Sequence, residues 1–198
     1  MTRPRFESIL RTVLLGLSFV FLSSAAFAGG DANFIYGTRS MNDDAWEPTD
    51  DQEVYGLSVD FGGKDWPVYI AVSYFDSEDE GELASFPILG AVNLDSELTE
   101  WDVGVRKIWT VKSARPFVGG GISLIDADAD VDSAIGSRSD SDDTEGLYVE
   151  GGIYWRLGEA FNLGLNGRIV EGTDVTLFDQ DGDADYWQIG ALVGFGWK

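Results

Sequence analysis

The chain offers few groups able to do chemistry. None of its 198 residues is Cys or His, so a thiolate nucleophile, the usual general base and the commonest metal ligand are all missing. What remains is mainly carboxylate: 35 Asp and Glu stand against 13 Lys and Arg, for a net charge of -22. Three arrangements of these carboxylates matter. Glu100 and Asp102 stand two residues apart and could in principle share acid–base work. On a strand that spacing puts both on one face, where a structural ion pair is the expected role. Asp126, Asp128, Asp130 and Asp132 recur at every second residue and would line one face of an extended segment. Asp179, Asp181, Gly182, Asp183 and Asp185 match part of a calcium-loop pattern. Their glycine comes fourth rather than sixth, and Gly190 stands where the bidentate glutamate belongs, so the match fails. No catalytic, cofactor-binding or metal-holding residue is assigned. The expected protein is not an enzyme and needs no cofactor.

The acidity also excludes a class of partner. A surface this negative repels phosphate backbones, so nucleic acid is not an expected ligand. A 44% hydrophobic and 13% aromatic content is too high for a disordered acidic chain.

The elements that would carry these residues begin after an export signal. Residues 1–28 read as a signal peptide: Arg3, Arg5 and Arg11, an apolar run over 12–22, then Ala26-Phe27-Ala28 as a small-x-small cleavage pattern. The run is short for a membrane helix. Residues 29–198 form one domain. They keep 10 basic and 34 acidic residues.

Past residue 30 the apolar residues alternate with a period of two. Eight strands are expected over 32–42, 52–62, 66–76, 97–110, 114–126, 145–157, 161–171 and 185–198. In the last, Trp187, Ile189, Ala191, Val193, Phe195 and Trp197 share one face. The facing of the first and fifth stays open, because glycine interrupts their pattern. Short turns follow the second, fourth and sixth strands. Long acidic loops over 42–53, 76–97, 126–145 and 171–185 hold 27 of the 34 carboxylates, with Arg138 as their one basic residue. Ser and Gly over 133–141 suggest that the third loop is mobile.

This layout is an all-β, eight-stranded antiparallel up-and-down transmembrane barrel, with periplasmic turns at one end and extracellular loops at the other. Aromatic residues fall in two groups. Phe61, Trp66, Trp109, Phe117, Trp155, Phe161 and Trp197 lie beside the short turns; Tyr55, Tyr74, Trp101, Phe178 and Trp187 lie near the loops. Two such belts are expected at the headgroup levels of a bilayer. The apolar faces then point to lipid. Asp60, Glu100, Asp102, Arg106, Glu150, Arg156 and Arg168 point inward, with Arg39 placed beside them. A barrel of this size is just wide enough for its own side chains to fill.

The residues resemble the small eight-stranded outer-membrane β-barrels of the OmpA/OmpX type, over the whole chain after the signal. Arg115-Pro116-Phe117-Val118-Gly119-Gly120-Gly121 looks like the turn and glycine-rich start of that family's fifth strand. Residues Gln188 to Phe195 are similar to its C-terminal assembly signal, ending on Phe195 or on Trp197. The resemblance implies a monomer in the outer membrane of a Gram-negative bacterium, inserted by the barrel-assembly machinery. It also implies a structural or surface-interaction role among outer-membrane lipid and lipopolysaccharide. The 27 loop carboxylates, offset by Arg138 alone, make divalent cations the expected bridge to that anionic surface. The alternative is an exported small-molecule binder, either a soluble lipocalin-like barrel or a membrane barrel with a narrow pore or lateral ligand site.

Overall fold

The computed structural model describes residues 29–198 except 44–45, 64, 87–89, 134–135 and 179, with side chains outside 82–91. The expected signal peptide and Asp179 lie outside the described residues. Eight long strands close into an antiparallel barrel. In chain order they are β1 (Gly29–Met41), β2 (Asp51–Gly62), β3 (Tyr69–Phe86), β4 (Gly90–Ile108), β5 (Ala114–Ser133), β6 (Gly136–Leu157), β7 (Phe161–Glu171) and, after a small hairpin of β8 (Val175–Leu177) and β9 (Gln180–Gly182), β10 (Tyr186–Trp197). Each barrel strand pairs with its neighbour in sequence, and β10 returns to pair with β1. The all-β eight-stranded barrel is as expected.

Alternation decides the two faces. Leu57, Ile122, Val149, Leu165 and Ile189 lie outside, each more than 50% exposed, a pattern suited to lipid rather than water. The partner positions point in. The two strands left open resolve the same way. On β1, Asp31, Asn33, Ile35 and Arg39 are buried inside; on β5, Phe117, Ser123, Ile125 and Ala127 are. Phe117 therefore does not belong to an outer belt. It sits beside the Tyr154 ring inside the barrel, 6.1 Å between centroids. The glycines that hid this parity serve the interior: a Cβ on Gly119 would stand 2.6 Å from Glu150 Oε1, and one on Gly121 would stand 2.9 Å from the Tyr148 ring.

Two of the four expected long loops are not loops. The β3–β4 and β5–β6 ladders continue upward, to Phe86 paired with Gly90 and to Ser133 paired with Gly136. The described residues of the segment expected to be mobile, Ser133 and 136–141, thus stand in a ladder. These four strands run 18, 19, 20 and 22 residues, against 13, 12, 11 and 12 for β1, β2, β7 and β10. One half of the wall stands well above the other. The inner side of the tall half is apolar at Leu98, Ile125, Ala127 and Ala129, so these strands have something to bury. Trp46 from the β1–β2 connection, Val175 from β8 and Tyr186 pack on it as an upper core. A lower core of Ile35, Val54, Phe75, Phe117, Tyr154 and Leu192 lies deeper. Phe178, expected in a lipid-level belt, turns instead between β8 and β9, with the Arg138 guanidinium 5.0 Å from its ring.

Candidate functional site

Interleaved with these cores the interior is ionic, and arginine organises it in three tiers. In the upper tier Arg168 donates to Asp102 at 2.6 Å and to Glu100 at 2.8 Å, and Arg39 donates to the other oxygen of Glu100 at 2.6 Å. Tyr186 O–H also donates to Glu100, and Ser123 O–H donates to Asp102 at 2.6 Å. In the middle tier Arg106 bridges Asp60 at 2.9 Å and Glu150 at 2.7 Å. In the lower tier Arg156 meets Asp31, which also receives Tyr154 O–H and Asn162 N–H, each at 2.8 Å.

Aromatic rings flank the cations. Arg168 lies 4.6 Å from the Phe75 ring centre, and Arg39 lies 3.9 Å from that of Tyr186. Every inward residue expected from the alternation is where it was placed, with Arg39 at the centre of the upper tier and Arg156 partly exposed at the lower rim. Asp31 lies one residue before the expected first strand. Asp31 continues the alternation of Asn33 and Ile35 by one step, which was its available signal. Glu100 and Asp102 are both held by arginine, so their arrangement is that of a charge-paired core, which a buried carboxylate requires.

The outer face of the tall wall is the reverse. Register sets Glu53 of β2 opposite Glu78 of β3, Glu78 opposite Glu97 of β4, and Glu97 opposite Asp128 of β5. One step higher, Glu80 faces Asp95 and Asp95 faces Asp130. Asp126 faces Asp143 of β6. The aspartates of β5 do line one face, as their spacing suggested. Neighbouring strands lie about 4.8 Å apart, and like charges directly opposite each other oppose pairing. Glu97 registers this: partial burial, then repulsion from Asp76, Asp128, Glu78 and Asp130, holds its carboxyl above the ordinary glutamate value. Just below these rows lies an aromatic belt of Tyr55, Tyr74 and Trp101, with Trp187 exposed at the same end of the barrel on β10.

The partial calcium loop is used otherwise. Asp185 caps Thr173, accepting its backbone N–H at 3.0 Å and its hydroxyl at 2.7 Å, and Asp181 accepts the Thr176 hydroxyl at 3.0 Å. Among the described residues no three or more acidic side chains are grouped to hold a metal ion.

Among solved structures, the attachment invasion locus protein Ail of Yersinia pestis, in complex with the heparin analogue sucrose octasulfate, matches with a TM-score of 0.57 at 13% identity. That match covers 86% of this chain and 99% of Ail. The outer membrane protein OprG of Pseudomonas aeruginosa matches with a TM-score of 0.57 at 14% identity, over 86% of this chain and 97% of OprG. The chain has the fold of a small outer-membrane β-barrel. The N-terminal barrel domain of Pseudomonas aeruginosa OprF agrees, with a TM-score of 0.52 at 14% identity over 85% of this chain and 99% of that domain. No family model and no curated protein matches the sequence. The barrel seen here thus shares its fold with these structures.

Proposed function

We propose that this protein is a non-enzymatic barrel of the outer membrane of a Gram-negative bacterium. Its tall acidic wall engages the lipopolysaccharide layer through divalent cations. The export signal over residues 1–28 is cleaved after Ala28, the barrel-assembly machinery inserts the remainder, and the barrel works as a monomer. The observation that carries this reading is the set of carboxylate rows immediately above the upper aromatic belt. That is the level at which lipid phosphates sit, and phosphate against carboxylate is repulsive until a cation stands between them. Hard divalent ions take oxygen ligands, and Ca²⁺ accepts irregular geometry. Carboxylates spaced by one strand, about 4.8 Å, can share such an ion with a phosphate. Binding is then collective and weak, in the millimolar range typical of loose oxygen sites.

Ail was solved with a polyanion. The rows here argue against direct binding of such a ligand and for a cation-bridged contact. A soluble lipocalin-like carrier fits poorly, because the apolar face is outside and the ionic one inside.

Fractionation tests the location: the mature chain should sediment with outer membrane and change apparent mass on boiling in SDS, and recovery in the soluble periplasm refutes it. Calcium titration of the barrel, reconstituted with lipopolysaccharide, tests the contact. Weak calcium-dependent retention that Glu78→Gln with Glu97→Gln reduces supports it; one saturable micromolar site, or retention indifferent to calcium, refutes it.

A further inference from the structure

Above the ionic lumen, on the inner side of the tall wall, lies a cleft of about 260 Å³ that the proposed surface contact does not use. Leu94 of β4 with Ala129 and Val131 of β5 form one side, the β8–β9 hairpin with Leu177 and Phe178 the other, and Trp46 the end. Its walls are held in place before anything enters. Trp46 donates its indole N–H to the Asp183 carbonyl at 2.7 Å and is buried. The hairpin is pinned to β6: Thr176 N–H donates to Asp142 at 2.7 Å, Phe178 N–H to Asp140 at 2.6 Å, and Asp174 N–H to Thr144 Oγ1 at 3.1 Å. A pocket preformed in this way spares an occupant the cost of ordering it.

Charge around the cleft selects the occupant. Among the described residues, Glu47 is the one ionisable side chain in its lining, and it stands exposed at the rim. The surrounding connections carry carboxylates with Arg138 as the one basic residue among them, and that guanidinium already lies over the Phe178 ring. A field of this sign draws in cations and turns anions away. The volume sits below the usual range for drug-sized ligands, which limits the guest to about ten heavy atoms. We propose that this cleft is a binding site for small organic monocations, the apolar body seated between Ala129 and Leu177 and the ammonium at Glu47.

The experiment uses the mature barrel in phosphatidylcholine nanodiscs at pH 7, with 2-phenylethylamine, 2-phenylethanol and 3-phenylpropanoate as cationic, neutral and anionic probes of matched shape. Empty nanodiscs give the lipid background, and backbone amide shifts of Ala129 and Val175 give the readout. The amine should shift both saturably, the alcohol should bind about three- to fivefold more weakly, and the acid should not saturate. Glu47→Gln, at an exposed position, should bring the amine down to the level of the alcohol and leave the alcohol unchanged. Ala129→Phe should abolish both while the protein still migrates as a folded, heat-modifiable barrel. Equal binding of the three probes, an unchanged amine preference in Glu47→Gln, or undiminished binding in folded Ala129→Phe would each overturn the proposal.

Discussion

One strand carries both kinds of electrostatics found in this molecule. On β4, Glu100 and Asp102 point into the barrel, each held by arginine, while Asp95 and Glu97 on the outer face stand opposite further carboxylates. The residue types are the same and the positions lie a few residues apart. Inside, water cannot screen the charge, so each carboxylate needs a bonded cation or the barrel does not close. Outside, solvent and dissolved cations can supply the counter-charge, so a repulsive row survives. The inner side supports the fold; the outer side, where like charges face one another across the ladders, leaves room for cations from solution.

The contrast is broken most severely from the inside. Arg168→Met leaves Asp102 with an uncompensated buried charge, while Glu100 keeps Arg39, and should cost about 3–5 kcal/mol of unfolding free energy, read by urea titration in lipid or micelles. Adding Asp102→Asn, which keeps Glu100 paired with Arg39, should restore most of that loss; no restoration would mean that packing against Phe75, rather than charge, was what Arg168 supplied. Next comes the lipid face. Val193→Arg, midway along β10 between Phe34 and Leu163, should cost about 2–4 kcal/mol in the same titration.

Outside, the sign reverses. Glu97→Gln should stabilise the wall by a few tenths to about 1 kcal/mol at low salt, with the gain shrinking as calcium is added. The pH dependence has the same origin. A carboxyl whose value is raised in the folded protein binds its proton more tightly there than in the unfolded chain, so folding is favoured at low pH. The wall should therefore lose stability as pH rises through and above 4.5, the ordinary glutamate value. Amide exchange of Ser96 to Asp128 across that range checks this, and faster exchange at the acid end, corrected for intrinsic rates, would contradict it. The smallest effect is at the hairpin: Asp142→Asn should speed exchange of the Thr176 amide severalfold, consistent with weakening one charged hydrogen bond, while leaving the barrel's unfolding midpoint in place.

Much of this was readable from residue order alone, and the exceptions have physical reasons. Parity placed Glu100, Asp102, Arg106 and Arg168 inside, because a lipid-facing charge is costly enough to dominate every other preference. Parity failed at Phe117, where Gly119, Gly120 and Gly121 remove the side chains that would have marked the inner face. The height of β3 to β6 was hidden by composition. Acidic, serine-rich segments usually mean solvated loops, and only Ala127, Ala129 and Val131 between the aspartates hinted at a buried side. Which arginine meets which carboxylate was out of reach, since Arg168 and Glu100 lie 68 residues apart and meet only through the curvature and register of the closed sheet. The cleft under the hairpin needed the same knowledge of three separate connections.

The order of pairing also bears on how the barrel comes into being. Every ladder but one joins strands adjacent in the barrel's own sequence order; the exception is the seam where Gly30 meets Trp197. Hairpins can therefore form in succession with short-range contacts, and a single late event must bring the two extremities together. Chain statistics make that event less demanding than its span suggests. Each doubling of loop length adds about 0.6 kcal/mol, so a closure across the whole domain costs roughly 2–3 kcal/mol more than a ten-residue one. The seam is then a kinetic bottleneck more than a thermodynamic weakness, and unfolding should leave from it as one cooperative opening.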